Sequence, residues 1–453
     1  MEAISKFFHV EERGSSVKTE IIGGVTTFMT MAYILAVNPS ILSASGMDAN
    51  AVLVATALAA FIGTVFMAIV ANYPFALAPG LGLNAYFAYT VCGAMGYSWH
   101  VALLAVFIEG LIFILLSLTN VREAIFNAIP TTLKKGVSVG IGLFVAFIGF
   151  QNAHIVVNSD STLVTVVSFK NTIHQEGIAA ILSIIGLIII VTLAHYNIKG
   201  SILIGIFATW ILGMICQAIG LYVPDFDNGF YSLYPSLSAF NITAIGSTFG
   251  ACFSGIKDVK ILDMIVIVFA FLFVDIFDTL GTIIGCAEKA NMLDKDGKLP
   301  KIKEVLLADA VATTAGAVLG TSTTTTFVES SSGIAEGART GLASIVTGLL
   351  FLVSIVLAPI FIAIPGFATA PALIYVGFLM LAPILDIKFD DLTEAIPAYI
   401  ALLSMPLLYS ISEGIAFGVI SYVVINLISK KSEKITPLMY ILAILFVLKY
   451  VFL

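Results

Sequence analysis

Hydrophobic and polar positions along this chain come in blocks rather than stripes. Apolar runs at roughly 21–44, 50–71, 74–92, 99–118, 134–150, 177–195, 200–222, 261–285, 304–320, 323–337, 340–363, 368–386, 392–410 and 413–429 alternate with short polar connections, and a further run, 436–453, closes the chain. Runs of about 17–25 residues match the thickness of a bilayer's hydrocarbon core. A soluble helix would show an apolar stripe with a polar face, and these runs do not. The pattern predicts an all-α polytopic membrane protein with about 14 transmembrane segments. A membrane β-barrel is excluded by length, since its strands need only about 10 alternating residues.

Composition agrees: 59% of the 453 residues are apolar and 11% are charged, against about 25% charged in a soluble domain. The opening MEAISKFFHVEERGSSVKTE is charged and lacks the pattern of a cleaved signal, so residues 1–20 read as an N-terminal segment before the first run. Cys92, Cys216, Cys252 and Cys286 are scattered without CxxC spacing, which argues for buried thiols and against a disulfide or metal framework.

The net charge of −7 does not orient a membrane protein; the placement of Lys and Arg does. With the N-terminus set in the cytoplasm, Lys6, Arg13 and Lys18 precede the first run. Arg122, Lys134 and Lys135 follow the fourth, and Lys199 the sixth. Lys289, Lys295, Lys298, Lys301 and Lys303 follow the eighth; Arg339, Lys388, Lys430, Lys431 and Lys434 follow later even-numbered runs. Lys170, Lys257 and Lys260 alone fall in connections on the other side. The bias predicts a multi-pass plasma-membrane protein with a cytoplasmic N-terminus. In the inner loop 291–303, Asp294-Lys-Asp296-Gly297 lacks the downstream ligands of a calcium loop and reads as a turn.

Fourteen segments suggest two sets of seven that start on opposite sides, the arrangement of an inverted repeat. In each set the third run is the irregular one. NYPFALAPGLGLNAYFAY (72–89) carries Pro74, Pro79, Gly80 and Gly82, and TSTTTTFVESSSGIAEG (321–337) is short and crowded with Thr and Ser. Irregular backbone at membrane depth survives only inside protein or beside water, so both stretches should face an internal cavity. β-branched threonines favour extended backbone. One short strand from each half could therefore pair with the other, each leading into a half-helix that starts at a bound molecule.

Carboxylates within apolar runs carry the chemistry, because a charge at the bilayer centre costs at least about 2.5–3.5 kcal/mol. The candidates are Glu109, Asp275, Asp278, Glu329 and Glu336. Asp275 and Asp278 lie at i and i+3, on neighbouring parts of one helix face. Glu336, three residues before Arg339, reads as an end-pairing residue. Glu109 is open between structural hydrogen bonding and a proton relay. A carboxylate has acceptor sites on two oxygens and can receive two N–H donors side by side, as a planar heterocycle with adjacent N–H groups would offer. Phe75, Tyr86, Phe277 and Phe327 are available to stack on such a ring. His9, His100, His154, His174 and His195 show no metal-ligand spacing and no nucleophile–base pair stands out, so neither catalysis nor a metal is expected. Nothing points to nucleic acid.

FVDIFDTLGT, APGLGLNAYFAY, TSTTTTFVESSSGIAEGARTG and TEIIGGVTTFMTMAYILAVNP together resemble the xanthine/uracil permease superfamily, with its nucleobase–ascorbate transporter fold. The likeness is greatest to the azaguanine-type hypoxanthine/guanine/adenine permease branch, and it runs over essentially the whole chain. It implies a 7+7 inverted repeat with a core domain (21–118 and 261–363) and a gate domain (134–222 and 368–429), spans 3 and 10 being broken by short strands. The segment 436–453 is an extension outside that repeat. It implies import of purine nucleobases by proton symport, by an elevator-like movement of core against gate, without an organic cofactor. By motif, Asp278 corresponds to the family's span-8 acid, Glu329 to its span-10 acid and Asn84 to its span-3 asparagine. Asp278 and Glu329 would bind substrate and couple the proton, with Thr326 and Phe327 beside them. Asp275 belongs to the branch motif and suits helix–helix hydrogen bonding. Relatives also suggest a homodimer through the gate domain. Alternatives are a uracil/xanthine-type or sodium-coupled nucleobase permease, or an anion transporter of the same fold; acids without a neighbouring Lys or Arg weigh against an anion.

Overall fold

The structure, a computed structural model, describes residues 2–118, 129–225, 230–235, 242–257, 260–290, 292–294 and 299–452. It is mostly helical. In chain order the helices are α1 (Glu2–Phe7), α2 (Val17–Met31), α3 (Ile34–Ser43), α4 (Ala49–Val70), α5 (Leu81–Ala85), α6 (Trp99–Ser117), α7 (Thr131–Asn152), α8 (Ile178–His195), α9 (Ser201–Ala218), α10 (Ile261–Lys289), α11 (Ile302–Leu319), α12 (Ser330–Ala335), α13 (Gly341–Ser354), α14 (Ala358–Ile362), α15 (Gly366–Leu379), α16 (Leu392–Leu407), α17 (Ile411–Ile428) and α18 (Pro437–Phe452). Among the described residues nine helical stretches are long and apolar enough to cross a bilayer. The helices thus fall on the apolar runs, because in hydrocarbon each backbone group must find a partner within its own segment.

Packing sorts the helices into two sets. In one, α4 packs on α11 and α13, α6 on α11, and α2 on α12 and α13. In the other, α7 packs on α15 and α16, α8 on α9 and α15, and α16 on α17. Glycines allow close approach within each set. A Cβ on Gly110 (α6) would lie 2.3 Å from Thr314 Oγ1, and one on Gly136 (α7) 2.8 Å from the Ala398 backbone. Small residues play this part where apolar surroundings give helices no other reason to associate.

The two irregular runs contain the expected strands. β1 (Leu77–Pro79) and β4 (Thr324–Thr326) pair antiparallel, with Leu77 opposite Thr326 and Pro79 opposite Thr324. Gly80 N–H donates to the Thr323 carbonyl at 3.0 Å and Phe327 N–H to the Ala76 carbonyl at 2.9 Å, extending the ladder at both ends. Within the threonine run the paired strand is thus limited to Thr324–Thr326. α5 begins immediately after β1 and continues as a wide-turned π-helix, Tyr86–Ala94. A second strand pair, the hairpin of β2 (Val156–Ser159) with β3 (Leu163–Val166), occupies the connection after α7 and had no counterpart in the hydropathy pattern.

Two end-structures bear on the sequence reading. Glu20 of α2 is fully buried and accepts N–H bonds from Arg339 (2.8 Å), Thr340 and Ala343 (3.3 Å each), capping the start of α13. The expected Glu336–Arg339 pair is replaced. Glu336 lies 3.5 Å from Lys199 in the turn before α9, while Arg339 Nη1 donates to the carbonyls of Ile334 and Ala338 at 2.7 Å. The last turn of a helix has unpaired carbonyls, and these take the guanidinium instead. The closing run is α18, packed against α17. Tyr450 donates to Glu413 at one end of that pair, and Lys431 and Lys434 hold Asp391 at 3.3 and 3.1 Å at the other, so α18 runs antiparallel to α17. The turn read at Asp294–Gly297 lies, from residue 295 on, outside the described residues.

Candidate functional site

A cavity of about 750 Å³ lies against the β1/β4 pair. One wall comes from Thr30 and Tyr33, Gly80–Gly82, Val274, Asp278 and Thr282, and the run from Thr325 to Glu329. The other comes from Ser138 and Ile141, Gly200–Ile202 and the stretch from Tyr375 to Pro383. The first wall belongs to the helix set around α4, α6 and α11, the second to the set around α7, α8 and α15. On the second wall Ser138 lies one turn after Lys135 at the start of α7, and Gly200–Ile202 directly follow Lys199 at the start of α9. The cavity therefore extends from the strand pair towards that end of the molecule.

The threonine run is held in place residue by residue, each to a different helix. Asn38 of α3 donates to Thr321 Oγ1 at 2.9 Å, and Ser322 donates to Asn84 Oδ1 on α5. Thr323 donates to Glu109 Oε2 on α6 at 2.6 Å. Thr313 of α11 donates to the Thr324 carbonyl at 3.0 Å and accepts its N–H at 3.3 Å. Thr325 and Asp278 of α10 converge on Gly80, where a Cβ would stand 3.1 Å from Thr325 Oγ1 and 3.4 Å from Asp278 Oδ2. Ala76 N–H, beside β1, is received by Ser330 Oγ at 3.0 Å. These bonds pair most of the run's buried polar groups, while the hydroxyls of Thr324 and Thr326 are buried without a partner. At Thr321 and Thr323 they also explain why the residue is threonine: a valine would share the extended preference but bring no hydroxyl.

Of the expected site residues, the structure brings Asp278, Glu329, Thr326 and Phe327 to one cavity. Glu329 is the residue before α12 and is held by a 2.7 Å hydrogen bond from the Tyr33 hydroxyl. Asn84 is fully buried behind the cavity wall, against Ser322. Glu109 is fully buried on α6 with Thr323 as a donor. Asp275 is fully buried and faces away from the cavity, where Thr279 Oγ1 lies 2.8 Å from its Oδ1 and 3.1 Å from both carboxyl oxygens of Asp309. Among the stacking candidates Phe327 lines the cavity. Phe75 stacks on Tyr73 at 5.1 Å and Tyr86 packs edge-on to Phe271 at 4.8 Å, both within the core. The Phe277 side chain lies outside the described residues.

Sequence reading missed Tyr33 and Asp309. Asp309 stands in a helix rich in Ala and Thr close to the charged 301–304 stretch, which makes it look like a helix-end residue. Its full burial is a tertiary fact. Tyr33 is one of 15 tyrosines in the chain and carries no mark of its own. The nearest signal is Pro39 inside α3, which announces an irregular helix without saying which side chain the irregularity presents. Chemically, two carboxylates and an aromatic ring beside a mainly apolar, concave space suit a flat polar ligand rich in N–H donors. Among the described residues no cluster of His, Cys, Asp and Glu could hold a metal ion.

The sequence profile of the xanthine/uracil group, described as a permease family, matches residues 18–417. The chain is 44% identical to the guanine/hypoxanthine permease PbuO of Bacillus subtilis (strain 168) over 443 residues, covering 97% of this chain and 98% of that one. It is 40% identical to the adenine permease AdeP of Escherichia coli (strain K12) over 450 residues, covering 99% and 96%. Among solved structures it is similar to the transmembrane domain of a cyanobacterium bicarbonate transporter, BicA, with a TM-score of 0.63 at 15% identity, covering 88% of this chain and 97% of that one. That last likeness concerns fold alone.

Proposed function

The chain belongs to the xanthine/uracil permease family, a family of multi-pass membrane transporters rather than enzymes, and from that premise we propose that it imports purine nucleobases by proton symport. The substrates are guanine, hypoxanthine or adenine, the bases for which its relatives are named. The single observation that carries this reading is the cavity in which Asp278 and Glu329 meet Phe327 beside the strand pair. Glu329 takes the N–H groups of the base, Phe327 lies against its ring, and Asp278 or Glu329 carries the coupled proton.

The finer architecture is part of the proposal. Fourteen spans form a 7+7 inverted repeat, with α18 added outside it and running back to the exterior. The core comprises residues 21–118 and 261–363, the gate 134–222 and 368–429. The cavity wall is shared between these two sets, which suits an elevator-like shift of core against gate. With the N-terminus cytoplasmic, the cavity lies towards the cytoplasmic end, the arrangement of an inward-facing state. A homodimer through the gate belongs to the same reading. Hydroxyl-held carboxylates without a cage of backbone carbonyls favour protons over sodium.

The test is uptake of radiolabelled hypoxanthine and guanine in a purine-auxotrophic, transporter-deficient cell, with competing bases, sulfate and a protonophore. Purine bases are expected to compete, sulfate to be without effect, and the protonophore to collapse uptake. Glu329→Gln is expected to abolish purine binding. Full purine affinity in that variant overturns the assignment of Glu329, and uptake indifferent to the protonophore overturns proton coupling.

A further inference from the structure

Three irregular stretches of backbone meet at the cavity, not the two that the sequence announced. Besides β1 and β4 there is the joint between α2 and α3 at Ala32–Tyr33. There the backbone tightens: Leu35 N–H bonds the Ala32 carbonyl at 3.1 Å and Ala36 N–H the Tyr33 carbonyl at 3.0 Å, both i to i−3. Such a joint at membrane depth is tolerated where it lines a cavity. The residue it presents is Tyr33, 1% exposed, with its hydroxyl 2.7 Å from Glu329 Oε1.

We propose that Tyr33 is a positioning residue for the substrate-reading carboxylate: its phenol fixes the orientation of Glu329 and keeps that group an acceptor towards the cavity. This rests on the reading of Glu329 as the acid that receives the base's N–H groups. A glutamate side chain has three rotatable bonds and loses much of that freedom when bound. Here one oxygen is already pinned from α3's entrance, so less ordering remains when the base arrives. A carboxylate offers about four acceptor sites on two oxygens. Tyr33 occupies one, and the remainder can only accept, which matches a ligand edge built of N–H donors. Charge-assisted bonds of this kind are roughly twice as strong as neutral ones. Tyr33 acts through Glu329, not on the base.

The test is Tyr33→Phe, which keeps the ring and removes only the hydroxyl. Purine binding to the purified full-length protein is measured together with the purine-induced infrared difference spectrum, in which the Glu329 carboxylate band is identified by its loss in Glu329→Gln. Tyr33→Phe is expected to weaken guanine and hypoxanthine binding about tenfold, the size of one hydrogen bond to a charged group, and to shift the carboxylate band. Wild-type affinity overturns the inference, as does weakened binding with the band in place, which would mark a merely structural contact. If Glu329→Gln binds purine normally, the functional reading fails with it. If Glu329→Gln loses binding while Tyr33→Phe behaves as wild type, this inference fails alone.

Discussion

Gly82→Ala probes the interface on which the proposed movement depends. Gly82 is on α5 and Ile141 on α7, and both line the cavity from opposite walls. A Cβ at Gly82 would stand 2.6 Å from Ile141 Cγ2, which is 0.8 Å inside the 3.4 Å where ordinary contact begins. The β-branched Ile141 is stiff at χ1 and cannot swing away freely. Overpacking of this kind costs about 1–3 kcal/mol. The penalty applies only while α5 abuts α7. An arrangement in which core has moved against gate escapes it, so the populations shift by roughly 5- to 150-fold. The measurement is maleimide labelling of Ser332→Cys on the cavity wall, compared with and without Gly82→Ala, alongside uptake. Labelling is expected to fall and uptake to slow, and Ile141→Ala is expected to restore both by removing the atom that collides. Unchanged labelling, or no rescue by Ile141→Ala, would refute the reasoning.

Two further expectations follow from the ends of the helices. Glu20→Gln leaves one oxygen for three N–H groups and sets an amide NH2 against them, so it should destabilise the protein by about 3 kcal/mol. Melting in detergent checks this, and a wild-type melting temperature would show that the cap of α13 carries no stability. Asp391 accepts from Thr393, Lys434 and Lys431, and these bonds, the Thr393 bond foremost, hold its carboxyl well below the usual carboxylate range. A depressed value means that its contribution is fully present above the ordinary carboxylate pKa of about 3.9 and is lost only as pH falls further, through the lower folded value. Protection of the 430–452 amides, exchange being corrected for its intrinsic pH dependence, should thus be flat from neutral pH to about 4 and fall below it, and Asp391→Asn should lower it throughout that range.

Most of the helical plan was legible because hydrocarbon forces long apolar runs, and hydropathy reads those directly. The strands were legible for a different reason: Pro79, Gly80 and Gly82 spoil a helix, and Thr321–Thr326 prefer extended backbone. Glu336 shows where such reading ends. Its spacing to Arg339 is right for a local pair, yet the guanidinium went to carbonyls and the carboxylate to Lys199, 137 residues earlier. Glu20, Asp309 and Tyr33 were hidden for a related reason. Each is ordinary in its own segment, and only the packing of distant segments buries it or brings it to a carboxylate.

The β1/β4 pair joins Leu77 to Thr326, a separation of 249 residues, and this bears on how the protein is made. At about 5–20 residues per second, β1 is synthesised roughly 12–50 seconds before its partner exists. Throughout that interval the backbone of Leu77–Pro79, which belongs at membrane depth, has no strand to receive its hydrogen bonds. Hydrocarbon does not tolerate such groups. The stretch around β1 must therefore wait in water, in the insertion machinery or against α4, whose Thr64 hydroxyl already accepts the Leu77 N–H at 2.9 Å. Its final seating in the bilayer is then a late event, triggered by the arrival of the threonine run.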